Sequence, residues 1–184
     1  MLLYKSKKFI LKTYNPDANR DFFLLIIMDI KIAIQGIQGS FHHQVAHRYF
    51  GEAIGLDECV TFRDVANSLK NNQSDKAIMA IENSIAGAIL PNYALIDSYD
   101  LHIIGEHFLD IHMNLMVFPG QTIEEIQEVH SHPIALLQCA NFFSQYPHIK
   151  LVESSDTAIT AKRIQENQLK GIGALGGPVA AEIY

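Results

Sequence analysis

Cysteine is nearly absent from this sequence, with Cys59 and Cys139 the only two. Two isolated thiols form neither a disulfide framework nor a zinc site, and both are read as reduced and buried. Basic residues are also scarce. Fourteen Lys and Arg against twenty Asp and Glu leave a net charge of −6 at pH 7. No basic patch offsets that charge, which excludes a protein that binds nucleic acid through its phosphates. Eleven glycines, six prolines and 18% charged residues are too few to suggest a disordered or low-complexity chain. No apolar run is long enough to cross a bilayer. Phe22 to Met28 spans seven residues, where a membrane helix needs about 20. A secretory signal fits no better, because Arg20 and Asp21 adjoin the run and Met28-Asp29-Ile30-Lys31 offers no small-residue cleavage site. Met28 is therefore read as the initiator, with residues 1–28 an extension outside the fold. A soluble, cytoplasmic protein without a membrane partner is expected.

What is present is a chain of 184 residues with 48% hydrophobic content, enough for one sizeable core or two small lobes. From Ile30 onward, β-rich runs alternate with helical stretches. Strands are expected at Ile30–Ile34, Cys59–Phe62, Ala77–Ile81 and Leu101–Ile104, and then at Ile111–Phe118, Glu128–His130, Lys150–Val152 and Gly171–Leu175. Ala77-Ile78-Met79-Ala80-Ile81 is almost continuously apolar, as a parallel strand covered on both faces should be. Helices are expected at His42–Phe50, Asp64–Lys70, Asn92–Ser98, His132–Tyr146 and Ser155–Gln165, with further starts at Thr122 and Pro178. Alternating β and α units imply parallel or mixed sheets with helices packed on them. The stretch from Gly105 to His112 joins two such series and could be a strand crossing between lobes. The expected architecture is α/β, with two lobes and a cleft between them.

The chemistry is concentrated where strands end and helices begin. These junctions read Gly-Ile-Gln-Gly-Ser-Phe (36–41), Ile-Glu-Asn-Ser-Ile (81–85), His-Ser-His-Pro (130–133) and Ser-Ser-Asp-Thr-Ala (154–158). In α/β sheets the carboxyl ends of strands face the ligand crevice, and helix N-termini there hold anions through unpaired N–H groups. Four such ends could hold a dianionic metabolite without arginine. Each junction alone is equally explained by capping, since Ser, Thr, Asn and Asp contribute about 1 kcal/mol at the start of any helix. The glycines flanking Gln38 allow close approach to the backbone, but the spacing is not that of a dinucleotide site. His42, His43 and His47 are read as a solvated helix face, because no HExxH motif or third ligand accompanies them. His130 and His132 share one side of an extended segment without a further ligand at metal spacing. Glu82 adjoins an apolar strand. Partial burial would raise its pKa, or it only receives backbone donors in a turn. No metal and no cofactor is expected.

These junction residues resemble the prephenate dehydratase signature. Gly36 to His42 is similar to the family's Gly-Pro-x-Gly-Thr-Phe-Ser opening, and Ile81-Glu82-Asn83-Ser84-Ile85-Ala86-Gly87 to its Pro-Ile-Glu-Asn-Ser-x-x-Gly block. Ser131-His132-Pro133 followed by Gln138-Cys139 resembles its Ser-His-Pro-Gln-x-x-x-Gln-Cys block. Glu106 to Ile111, Asp156 to Ala161 and Ala180 to Tyr184 resemble three further blocks in order. The resemblance implies conversion of prephenate to phenylpyruvate with loss of carbon dioxide and water, in phenylalanine biosynthesis. It implies two hinged α/β lobes resembling type II periplasmic binding proteins, with lobe 1 at about 29–108 plus 176–184 and lobe 2 at about 109–175. By resemblance Glu82, Asn83, Ser131 and Gln138 are the catalytic group, with Gln38, Gly39, Ser40, Ser84 and Thr157 binding substrate. A homodimer is implied for the complete protein. Ile37, Ser40 and Ile134 stand where the family usually has proline, threonine and glutamine. The family's Thr-Arg-Phe motif, with its proton-donating threonine, is expected beyond Tyr184. Thr61-Phe62-Arg63 has the same letters in another order and is no substitute. The 184 residues alone are thus expected to turn over slowly or not at all. Arogenate dehydratase and a non-catalytic binding module for an aromatic carboxylate are the competing readings.

Overall fold

The computed structural model describes residues 2–4, 30–85 and 87–184. The apolar run Phe22 to Met28 lies outside them. The first lobe is built on a five-stranded sheet. Its elements are β1 (Leu2–Tyr4), β2 (Ile30–Gln35), α1 (Phe41–Phe50), β3 (Ile54–Cys59), α2 (Phe62–Lys70) and β4 (Lys76–Ile78). The hairpin β5 (Glu82–Asn83) and β6 (Gly87–Ala88) follows, then α3 (Leu90–Ser98) and β7 (His102–Gly105). The sheet order is β3-β2-β4-β1-β7, with β2 parallel to both β3 and β4.

Alternation along β2 divides the core between the two faces of the sheet. Ala33 joins Val65, Ala66, Leu69, Met79, Leu95 and Leu101 in one cluster, beneath α2 and α3. Ile32 and Ile34 join Val45, Ala46 and Ile78 in another, beneath α1. Ile32, Ile34 and Met79 are fully buried, and each such side chain contributes about 1.5–3 kcal/mol through the water it sheds.

Two sequence expectations change in this lobe. The strand expected at Cys59–Phe62 lies earlier, at Ile54–Cys59. A capping box starts α2 at Phe62, because Asp64 N donates to Thr61 Oγ1 at 3.1 Å and Thr61 N to Asp64 Oδ2 at 3.0 Å. Two otherwise unpaired donors are satisfied in this way, which outweighs the β preference of Val60 and Phe62. Residues 2–4 were placed outside the fold, yet they form the strand between β4 and β7, antiparallel to both. Those two strands do not pair with each other, so each presents an open ladder to β1.

The second lobe carries a four-stranded sheet. Its elements are β8 (Asn114–Val117), β9 (Glu128–Ser131), α4 (Pro133–Gln138), α5 (Ala140–Phe143), β10 (Lys150–Glu153), α6 (Ile159–Asn167), β11 (Ile172–Gly176) and α7 (Pro178–Ile183). The order is β10-β9-β11-β8, with β9 parallel to its neighbours and β8 antiparallel to β11. Ile126, Val129, Leu136, Phe143, Ile149 and Leu175 fill one face, and Ala161, Ile164 and Ala174 the other.

Here too the helices differ from expectation. The long helix expected over His132–Tyr146 is two short ones, broken at Cys139, whose φ of −100° and ψ of 5° leave the helical range. Thr122 starts only a single 3-10 turn, Ile123–Glu125. The helix expected from Ser155 begins at Ile159, because Asp156 Oδ1 accepts from Ala158 N at 2.7 Å and Ile159 N at 3.1 Å. The carboxylate thus receives the first backbone donors of the helix, which starts after it. Residues 106–113 join the lobes without a strand. The α/β architecture with two sheet-based lobes is as the sequence implied. No described helix is long and apolar enough to cross a membrane.

Candidate active site

The first lobe reaches the second through a loop and a hairpin. The loop, residues 36–40, connects β2 to α1. Gly36 and Gly39 both have positive φ, at 95° and 93°, a region that a side chain disfavours. Most N–H groups of this loop are already paired. Gly36 N donates to Cys59 O at 2.9 Å, and Ser40 N to Ile37 O at 3.0 Å. Gly39 N donates to His43 Nδ1 at 3.1 Å, which fixes the ring as an acceptor at that nitrogen. Gln38 N donates to Glu58 Oε1 at 2.6 Å, so the donor assigned to a substrate carboxylate holds one of the protein's own. Ser40, 1% exposed, caps α1 by accepting from His43 N at 3.2 Å.

The hairpin presents Asn83 at the cleft. Ile85 N donates to Asn83 Oδ1 at 2.9 Å, which fixes the carboxamide in a turn. Gln138, at the end of α4, places Nε2 3.5 Å from the same oxygen. Two residues 55 positions apart thus face each other across the lobes. Glu82 and Ser84, on either side of Asn83, are exposed. Of the two alternatives for Glu82, partial burial is not seen, because the two-residue strand that carries it stands away from the main sheet.

Ser131 and Thr157 of the second lobe are buried instead. Ser131 is fully buried and its hydroxyl donates to Leu175 O at 2.7 Å. This bond ties β9 to β11 and spends the hydroxyl proton inside the lobe. Thr157 is 8% exposed and follows Asp156, which is 7% exposed. Burial pushes the Asp156 carboxyl above its ordinary range, against the backbone donors of Ala158 and Ile159. Burial also lowers the pKa of His132, against the nearby charges of Asp156 and Glu153.

The histidines correct the sequence reading. His43 is buried at 7% exposure, and His42 packs edge-on against Phe62, with ring centroids 5.3 Å apart. Burial pulls the His42 pKa down to about 4, with the charge of His132 also lowering it. Both imidazoles are therefore neutral at pH 7. The face carrying them is an interior one. The signal in the sequence was their place just after the glycine loop, where α1 turns into the cleft. The cysteines are only partly buried. Burial raises both thiols, Cys59 to about 11, which leaves them protonated and poor nucleophiles. Among the described residues, no group of three or more His, Cys, Asp and Glu is arranged to hold a metal.

The end of the described chain closes the site on the first-lobe side. Tyr184, after α7, donates its hydroxyl to Gln38 O at 3.1 Å. A Cβ added to Gly39 would lie 3.2 Å from Ala180 Cα and 3.4 Å from Ala158 Cβ. The two carboxamides are in direct contact across the lobes, and both carry further donors and acceptors for a small polar molecule. The sequence profile of prephenate dehydratases matches residues 32–184. The chain belongs to the prephenate dehydratase family.

Among its relatives, a bifunctional chorismate mutase/prephenate dehydratase of Buchnera aphidicola subsp. Acyrthosiphon pisum (strain APS) is 33% identical over 153 residues. That alignment covers 81% of this chain and 40% of the relative. Arogenate dehydratase 2 of Petunia hybrida is 34% identical over 155 residues, covering 84% and 39%. Among solved structures, the prephenate dehydratase of Arthrobacter aurescens in complex with L-Phe superposes with a TM-score of 0.75 at 24% identity. It covers 84% of this chain and 52% of that one, and shows the shared fold. GqqA, described as a novel type of quorum quenching acylase, superposes with a TM-score of 0.71 at 28% identity over 83% and 55% of the two chains. This prephenate dehydratase family member thus spans about 40% of the length of the curated relatives it matches.

Proposed function

We propose that the cleft binds prephenate and that the protein converts it to phenylpyruvate. The observation that carries this reading is the approach of Asn83 and Gln138 from opposite lobes, 3.5 Å apart. In the reaction the bond from the ring to one carboxylate breaks and carbon dioxide leaves. Its electron pair enters the ring as the ring C–O bond breaks, and the hydroxyl departs as water with a proton from an acid. Aromatisation supplies the driving force, so the site's main tasks are orientation and hydrogen bonding to the departing groups. Asn83 and Gln138 turn from each other to the substrate when it enters, exchanging their 3.5 Å contact for hydrogen bonds to it, and exposed Glu82 and Ser84 border it on the hairpin. Ser131 keeps its lone pairs for a donor while its proton braces β11. Gln38, Gly39, Ser40 and Thr157 receive the carboxylates, with Glu58 giving way at Gln38 N.

The working lobes are residues 2–4 with 30–105, and residues 114–184. The reading includes a cytoplasmic homodimer, for which Ile103, Ile104 and Phe108, exposed at 56%, 40% and 88%, supply apolar surface. Sedimentation of the full-length protein checks the dimer. The 34% identity to an arogenate dehydratase supports arogenate as the competing substrate. Phenylpyruvate formation from prephenate, set against phenylalanine formation from arogenate, tests both in the full-length protein. Folded protein that converts neither rejects the enzymatic reading in favour of a binding module.

A further inference from the structure

The two lobes meet at backbone that carries no side chains. A Cβ on Gly177, in the second lobe, would lie 2.5 Å from Gln44 Nε2 and 2.8 Å from Phe41 Cε1 of the first. On Gly36, in the first lobe, it would overlap Oδ2 of Asp156 from the second and lie 3.1 Å from that residue's Cγ. Real Cβ atoms do not tolerate such approaches, because interiors are close-packed and the overlap must be relieved by movement. Asp156 is itself held from behind. Oδ1 accepts from Ala158 N and Ile159 N, which fixes the carboxyl plane and aims Oδ2 at Gly36. The residue is 7% exposed, so neighbours on both sides hold it there. Ser40, whose Cβ is also 3.1 Å from the added atom at Gly36, bounds the same spot.

From this geometry we infer that Asp156 is a positioning residue: its carboxyl, seated on the bare backbone of Gly36, sets how closely the lobes approach over the cleft. The contact fixes the spacing on which the approach of Asn83 to Gln138 depends. Any side chain at 36 holds the lobes apart, and loss of the carboxyl at 156 removes the stop together with the brace of its loop. The effect on turnover rests on the prephenate reading, but the contact itself does not.

The test uses full-length protein with Gly36→Ala, Asp156→Asn, Asp156→Ala and the double variant Gly36→Ala/Asp156→Ala. Gly36→Ala is expected to raise KM for prephenate about tenfold, as a small misplacement of a binding group does. Asp156→Asn, which keeps the shape and the accepting oxygen, stays near wild type. Asp156→Ala raises KM about threefold, and the double variant returns to that level, because neighbouring residues that share one contact are not additive. Positive-φ strain at residue 36 lowers thermal stability in both Gly36→Ala backgrounds, and removing the Asp156 side chain does not relieve it. Recovery of KM without recovery of Tm therefore identifies the contact. Multiplication of the two single effects in the double variant overturns the proposal. A second arm needs no substrate. Hydrogen exchange at the amides of Ala158 and Ile159 should quicken at least about tenfold in Gly36→Ala as Asp156 is displaced. Unchanged exchange there overturns the proposal, whereas wild-type protein that fails to convert prephenate overturns only the substrate reading.

Discussion

Asp57 in the first lobe is half-buried and Asp156 in the second is buried, and their carboxyls shift in opposite directions. Burial pushes the Asp57 carboxyl up, but the hydroxyls of Ser68 and Ser74 and the ammonium of Lys31 outweigh it and hold the group below its ordinary value. Lys31 Nζ lies 3.0 Å from Asp57 Oδ1, and Ser74 donates to Oδ2 at 3.0 Å. Asp156 has backbone donors on one oxygen and bare Gly36 against the other, and its carboxyl is raised. The first carboxylate is built into a complete polar network and stabilises the sheet. The second is only partly compensated, at the lobe boundary. A fold places such incompletely compensated groups where it has functional work for them.

The same contrast separates the site residues, with half-buried Asn83 and Gln138 facing each other and Ser40, Ser131 and Thr157 buried. The largest expected effect tests that division directly. Asn83→Ala or Gln138→Ala should lower conversion of prephenate by about a hundredfold, about 2.7 kcal/mol of transition-state stabilisation, while Tm stays within about 2 °C. Steady-state rates and thermal unfolding of the full-length protein check this, and a loss confined to Tm would break the contrast. Ser131→Ala should behave in the opposite sense. It leaves Leu175 O without its buried donor and costs about 1–3 kcal/mol of stability, measurable by urea unfolding.

A smaller effect follows from the two aspartates. The folded pKa of Asp57 is below its unfolded value of about 4, so its stabilisation is complete above that value and is lost as pH falls through the folded pKa. Asp156 carries the opposite sign. Its pKa is raised, so its contribution weakens as pH rises from the unfolded value through the folded one. Denaturation between pH 3 and pH 6 should therefore show Asp57→Asn flattening the acid limb and Asp156→Asn steepening it, since the latter removes the compensating slope. The smallest effect concerns the glycine loop. Glu58→Gln weakens the acceptor at Gln38 N and should lower KM for prephenate by about twofold. A rise in KM would mean that Glu58 supports the loop and does not compete for it.

Much of the architecture could be read from the chain itself. Ile32 to Ile34 declare a strand by their alternation, Ala77 and Ile78 one buried on both faces, and the junctions at 36–41 and 154–158 come into contact through Gly36 and Asp156. Local competition set the errors. Thr61 and Asp64 close a capping box that ends a strand early, and Asp156 holds the amides of Ala158 and Ile159 so that the helix expected from Ser155 starts later. Periodicity does not record a break such as the one at Cys139, because the apolar positions on either side of it continue in phase.

What the sequence determined alone is the alternation of strands and helices and the family, because both follow from local pattern and from motifs a few residues long. The tertiary structure decided the rest. It brought Asn83 to Gln138, turned His42 and His43 inward, handed Gln38 N to Glu58 and laid Asp156 on Gly36. Each of these is a pairing between segments distant in the chain, and its sign depends on burial and on the partner present, which no local pattern carries.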